Sequence, residues 1–256
     1  MREIYFDISG RLHSLYREML DNPPDGYRFV TSVTAFDRCI IPLVRSRVAY
    51  RFQERVVNRI VPVNLFKAWV EKARPVSKRV SLTYATGHLV FRSEPWVVDL
   101  EYVTQLAGYS VRHFKVYKRV IERLLSSDYC KGIICWTEAG RRTVLENLSC
   151  DGFADKVCVA PLAVPKKNFI KDYRDKNGIK LLFVGSSNNP LGEFEYKGGK
   201  EVLEAFILLS TRYPDLQLTV RSTVPKHLKA LFKGLGNVRL IEKVLPWEEL
   251  EREFVT

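Results

Sequence analysis

The chain is short of the residues that hold metals and cross-links. Among 256 residues there are 4 His, 2 Met and 5 Cys. The histidines, His13, His88, His113 and His227, stand far apart, and none shares metal-ligand spacing with cysteines or carboxylates. No metal is therefore expected. The cysteines, Cys39, Cys130, Cys135, Cys150 and Cys158, are odd in number and match no zinc or redox pattern. They predict reduced, mostly buried thiols, as in a cytoplasmic protein. No run of ~18 uncharged apolar residues occurs, which excludes a transmembrane helix. The first residues, Met1 to Asp7, lack the apolar core of a secretory signal. Gly (14) and Pro (12) are modest and aperiodic, which excludes collagen-like and low-complexity classes.

What is present is ordinary globular material with an unusual charge. Hydrophobic residues make up 46% and charged residues 27%, enough apolar surface to offset chain entropy. At ~100–200 residues per domain, the length suits one large domain or two small ones. Lys and Arg number 41 against 29 Asp and Glu, a net charge of +12. The excess is concentrated between residues 38 and 79, where eleven Lys/Arg face only Glu54 and Glu71. Such a field draws anions: phospholipid surfaces, lipid diphosphates, nucleotides or nucleic acid. No helix-turn-helix, finger or RNA-binding motif accompanies it, so nucleic acid is the least favoured partner.

Apolar periodicity predicts strands alternating with helices. Ile4 to Ile8 suits a buried strand, and Leu12, Leu15, Tyr16, Met19 and Leu20 recur at helical spacing. Pro23-Pro24-Asp25-Gly26 ends that helix, and Tyr27 to Val33 reads as a second strand. Val44, Val48, Phe52, Val56 and Ile60 form one face of a helix with Arg45, Arg51, Arg55 and Arg59 opposite. This basic helix reads either as a solvated cover of the sheet or as a grip on an anionic membrane surface or a lipid-linked acceptor. Val80 to Phe91, Trp96 to Leu100, Gly132 to Trp136 and Lys156 to Pro161 are further strands. Phe114 to Leu125 and Glu138 to Leu148 are helices, the latter with Thr137 as N-cap. Strands apolar on both faces argue for a parallel sheet covered by helices.

A charged linker follows Val164. Beyond it a second alternating run predicts strands at 179–185, 216–221 and 238–241 and helices at 200–213, 225–232 and 247–254. The expected organisation is thus an α/β chain with one unit over residues 1–164 and a second over 165–256.

Two constellations could carry chemistry. The first is Gly185-Ser186 at a strand end, then Lys197-Gly198-Gly199 at a helix start. Glycines let backbone approach a ligand closely, and the first N–H groups of a helix favour an anion. A lysine on the same lip adds a point charge for phosphate. The pattern reads as a phosphate or diphosphate site, or as a plain turn with a solvated lysine. It is neither the P-loop nor the dinucleotide fingerprint. The second constellation is His88, after Gly87, with Asp99 and Glu101 near a following strand end. Polar residues at strand ends face the ligand crevice of an open α/β sheet. His88 reads equally as a hydrogen-bonded structural histidine, and Asp99 and Glu101 as one solvated face. His13, His113 and His227 are expected at the surface.

The second half also carries a family likeness. Tyr196-Lys197-Gly198-Gly199 with Val202-Leu203-Glu204-Ala205-Phe206, then Tyr213-Pro214-Asp215-Leu216, Gly236-Asn237-Val238 and Trp247-Glu248-Glu249-Leu250, resembles the C-terminal domain of GT-B fold retaining glycosyltransferases of family four. Gly132 to Arg142 and Lys156 to Val164 resemble the same family more weakly. The resemblance implies two Rossmann-like domains in a GT-B arrangement, an acceptor-side domain first and a nucleotide-sugar donor domain second. The family's pair of glutamates seven residues apart would fall beyond residue 256, which implies an incomplete second domain. It implies a nucleotide-sugar donor, a glycan or lipid-linked acceptor and no metal. It implies that Lys197 meets the donor diphosphate beside Gly185-Ser186, and that polar residues such as His88, Asp99 and Glu101 face the reacting sugar and acceptor. The contrasting expectation is a non-catalytic subunit that binds membrane, glycan or a partner chain.

Overall fold

The computed structural model describes residues 1–7, 14–31, 62, 65, 68–69, 80–162, 178–185, 193–243 and 245–255. Two compact units divide the chain, Met1–Pro165 and Lys166–Thr256. The basic stretch at 38–79 lies almost wholly outside the described residues, as do Ser186 and most of the linker.

The first unit contains β1 (Arg2–Asp7), α1 (Ser14–Asp21), β2 (Tyr27–Val30), β3 (Val80–Thr86), β4 (Trp96–Leu100), α2 (Val111–Ser126), β5 (Cys130–Cys135), α3 (Glu138–Asn147) and β6 (Val157–Val159). Short 3₁₀ turns cover Val103–Ala107 and Ala154–Lys156. The strands form one sheet in the order β2-β1-β3-β4-β5-β6, parallel throughout. A parallel sheet must bury both faces, and the central strands do so. Ala85, Val98, Leu100, Ile133 and Cys135 pack into one core with Phe114, Ile121 and Leu125 of α2. Fully burying one such Ile or Leu side chain contributes about 1.5–3 kcal/mol. A second cluster joins Phe6 and Tyr16 to Met19, Leu20, Phe29, Tyr84 and Trp136. There Phe6 stacks on Tyr84 with ring centroids 5.0 Å apart.

Local chemistry sets the helix starts. The Thr137 hydroxyl accepts from Gly140 N–H at 3.0 Å and opens α3. Ser110 does the same for α2 with His113 N–H. The helix expected from Phe114 therefore begins three residues earlier, where the cap stands.

The second unit holds β7 (Lys180–Val184), α4 (Glu193–Tyr196), α5 (Gly199–Arg212), β8 (Gln217–Arg221), β9 (Val238–Ile241) and α6 (Trp247–Val255). Its strands pair in parallel, in the order β7-β8-β9. Leu203 and Phe206 of α5 pack with Phe183, Phe194, Leu218 and Val220.

Three expectations change. The helix expected over 225–232 is a 3₁₀ turn at Lys229–Phe232, because three-residue bonds such as Leu231 N–H to Leu228 C=O dominate there. Lys156 does not extend β6, since its N–H donates to the Phe153 carbonyl at 3.0 Å and ends the 3₁₀ turn at Ala154–Lys156. His113 is buried, not at the surface, because α2 packs the face that carries it. Among the described residues no helix is long and apolar enough to cross a membrane.

Candidate active site

In the first sheet β1 lies between β2 and β3. The strand order therefore reverses at the β1/β3 boundary, and the carboxyl ends beside such a reversal open onto the ligand crevice of doubly wound folds. Asp7 is the last residue of β1 and pairs in register with Ala85 of β3. Thr86-Gly87-His88 follow at the end of β3. Two polar residues thus flank the reversal.

They meet. His88 Nε2 lies 3.2 Å from Asp7 Oδ2, with side chains 0% and 5% exposed. His88 Nδ1 lies 3.2 Å from the Thr86 carbonyl. Each ring nitrogen of His88 therefore faces an oxygen, with Nε2 the one turned to Asp7. The Thr86 hydroxyl donates to the Asp7 carbonyl at 3.1 Å and ties the two strand ends together. Gly87 makes the turn with φ +71, and its N–H donates to the Asp99 carbonyl at 3.1 Å.

Asp99, near the end of β4, is 2% exposed. Its Oδ2 accepts from the Tyr16 hydroxyl at 2.7 Å and from Trp136 Nε1 at 2.9 Å. Burial pushes its carboxyl above the usual range, opposed by those two hydrogen bonds. Burial and the charge of Asp99 together push the Tyr16 and Tyr84 phenols up. One carboxylate thereby pins α1 and the start of the β5–α3 turn to the strand end.

Glu101 stands two residues further on and is exposed. Its N–H donates to Gln105 Oε1 at 2.7 Å, and its Oε2 accepts from the Tyr109 hydroxyl at 3.4 Å. The solvated face expected for both carboxylates therefore holds for Glu101 only. Asp99 is covered because α1 and Trp136 pack the side of β4 that it faces.

The structure thus gathers His88, Asp99 and Glu101 along one carboxyl edge, with only His88 paired to a carboxylate. It adds Asp7, Tyr16 and Trp136. Asp7 had a sequence signal, a carboxylate inside the first apolar run. Tyr16 and Trp136 read as apolar positions and had none.

In the second unit Gly185 follows β7 and is buried, while Ser186 lies outside the described residues. A Cβ at Gly185 would stand 2.3 Å from Ser222 Oγ, so close packing demands the glycine. Lys197 is exposed and precedes Gly198, the left-handed N-cap of α5 with φ 76 and no capping side chain. The first N–H groups of α5 therefore lack the side-chain cap seen on α2 and α3. Gly199 has no room for a side chain, since a Cβ would stand 2.5 Å from the Phe194 ring. Among the described residues no cluster of His, Cys, Asp and Glu could hold a metal ion.

No family model matches the chain, and no curated protein does. Solved structures do share its fold. The S. aureus MnaA–UDP co-structure is 12% identical, with 95% of this chain and 70% of that chain covered and a TM-score of 0.51. A UDP-N-acetylglucosamine 2-epimerase is 10% identical over 99% of this chain and 70% of that one, with a TM-score of 0.52. A structure from Listeria monocytogenes is 11% identical over 98% and 70%, with a TM-score of 0.53. At such identities the likeness carries the fold alone: α/β, with Rossmann-like parallel sheets of the GT-B type.

Proposed function

We propose that the chain uses a nucleotide sugar and transfers its sugar, with retention, to a hydroxyl of a glycan or lipid-linked acceptor. The observation that carries this reading is the buried Asp7–His88 pair at the strand-order reversal. Buried polar pairs at a carboxyl edge are costly in a structural role alone and suit chemistry on a bound ligand. The shared fold with a UDP co-structure and with a UDP-N-acetylglucosamine 2-epimerase supports a nucleotide-sugar ligand. The family likeness at residues 196–206 supports glycosyl transfer.

In this reading the bond from the sugar's C1 to the diphosphate breaks and a bond from C1 to the acceptor oxygen forms, with the acceptor's proton passing to the departing diphosphate. Lys197 and the uncapped N–H groups of α5 stabilise the departing diphosphate, beside Gly185 and Ser186. Gly198 and Gly199 let backbone approach it. His88, held by Asp7 and Thr86, is a positioning residue that fixes the strand-end turn beside which the acceptor hydroxyl is oriented. Asp99 acts through Tyr16 and Trp136 to hold the elements around that edge. Glu101 faces the acceptor from the exposed side. No metal takes part. Residues 38–79 draw an anionic membrane surface or lipid-linked acceptor to the chain, on the cytoplasmic face.

Calorimetry with a panel of nucleoside diphosphate sugars tests this reading. Heat of binding that Lys197→Ala weakens is the expected result. Absence of heat with every nucleotide would overturn it. Binding without turnover would favour a non-catalytic subunit, and a product still joined to its nucleotide would mean chemistry within the sugar instead.

A further inference from the structure

Beyond the carboxyl edge of β4 the chain makes an unusual loop. Tyr102 and Tyr109 stand 39% and 49% exposed, with ring centroids 5.3 Å apart in an edge-to-face pair. The loop between them is fixed: Gly108 adopts the left-handed region and donates to the Gln105 carbonyl, and Tyr109 N–H donates to the Thr104 carbonyl at 2.9 Å. Tyr109 itself has φ 63, the one non-glycine residue at positive φ among the described residues. Tyrosine resists this conformation, and such strain gathers where a side chain must be aimed. Here it turns the Tyr109 ring back onto Tyr102 and its hydroxyl toward the Glu101 carboxylate. Gln105, which accepts from Glu101 N–H, also abuts Gly87 beside His88. The two rings and the carboxylate are therefore tied to the edge that holds His88.

We infer that Tyr102, Tyr109 and Glu101 form a sugar-binding platform for the acceptor. A pyranose has an apolar face of C–H groups and a rim of hydroxyls. Exposed aromatic rings take the face, and a carboxylate accepts from the rim in charge-assisted hydrogen bonds. The same carboxylate repels phosphate, so the platform takes a neutral sugar and not the donor's diphosphate. The assignment to an acceptor rests on the glycosyl-transfer reading; the sugar-binding geometry does not.

Saturation-transfer NMR on the full chain tests it with four probes: the methyl glycosides of β-glucose, β-N-acetylglucosamine, α-mannose and β-galactose. At least one should show saturation at its ring C–H protons. Tyr102→Ser and Tyr109→Asn should weaken that binding about three- to ten-fold each, the range set by one aromatic contact. Asparagine is chosen because it tolerates the left-handed backbone. Glu101→Gln should weaken it too, while Val116→Ser, exposed on α2, should leave it unchanged. Matching thermal melts for the variants exclude unfolding as the cause. No saturation with any glycoside, or a signal that survives removal of both rings, overturns the proposal. Nucleotide-sugar calorimetry on the ring variants separates the two readings, since donor binding should be untouched by these substitutions.

Discussion

Alanine at Gly87 probes the turn beneath His88. Gly87 has φ +71, and a Cβ there would stand 2.0 Å from Gln105 Nε2 and 2.6 Å from its Cδ. Two penalties add. The left-handed conformation costs a residue with a side chain about 1–2 kcal/mol. The Gln105 amide must also swing away, which gives up its 2.7 Å hydrogen bond from Glu101 N–H. That loss is about 1 kcal/mol net, and crowding of the displaced side chain adds about 1 kcal/mol more. The expected destabilisation is about 3–4 kcal/mol, or about 6–16 °C in Tm for a unit of this size. Gly26 supplies the control. Its φ is +79, and a Cβ there would meet nothing within 4 Å. Gly26→Ala should therefore show the conformational penalty alone, about 1–2 kcal/mol. Circular-dichroism melts and urea titrations measure both. The double variant Gly87→Ala/Gln105→Ala should lose less than the two single losses added together, because the clash disappears with the amide. Equal losses at Gly87 and Gly26, or strict additivity with Gln105→Ala, would refute the packing described.

Three further outcomes follow from the geometry. Burial holds the Asp99 carboxyl above its ordinary 3.8, so the folded state keeps a proton that the unfolded chain has released. This contribution to stability is fully present below the ordinary value and is lost as pH rises through the raised one. Asp99→Asn should flatten that decline in urea unfolding measured across pH, and a variant profile parallel to the original would contradict it. Thr137→Ala should lower stability by about 1 kcal/mol in the same titrations through loss of the α3 cap; an unchanged midpoint would count against the cap. Burial pushes the Cys130 and Cys135 thiols up to about 11, whereas Cys158 is exposed. A thiol-reactive dye should lose one fast equivalent in Cys158→Ser and none in Cys130→Ser or Cys135→Ser.

Much of the fold was legible because its strands are short apolar runs bounded by turn residues. Trp96–Leu100 and Val238–Ile241 stand where their sequences place them, and Thr137 caps the helix that it precedes. Element edges were less legible where a turn takes up the backbone, as the 3₁₀ turn at Ala154–Lys156 does before β6. The carboxyl edge was half legible. A histidine after a strand-end glycine marked the right place, but its partner Asp7 is far away in sequence and meets it only through the sheet order. Alternation along β4 placed Asp99 and Glu101 on one face without saying how far that face is covered. Coverage depends on α1 and Trp136, which strand periodicity does not encode. The strained Tyr109 left no trace in the sequence, since a left-handed tyrosine breaks the local preference that sequence reading relies on.

The most direct measurement is release of nucleoside diphosphate from a bound nucleotide sugar in the presence of acceptor, compared among the original chain, His88→Gln and Asp7→Asn. Both substitutions should slow release by about 100-fold while donor affinity is kept, the loss expected when reacting groups are misplaced by about 1 Å. Release as fast without the Asp7–His88 pair as with it would contradict the role assigned to that pair.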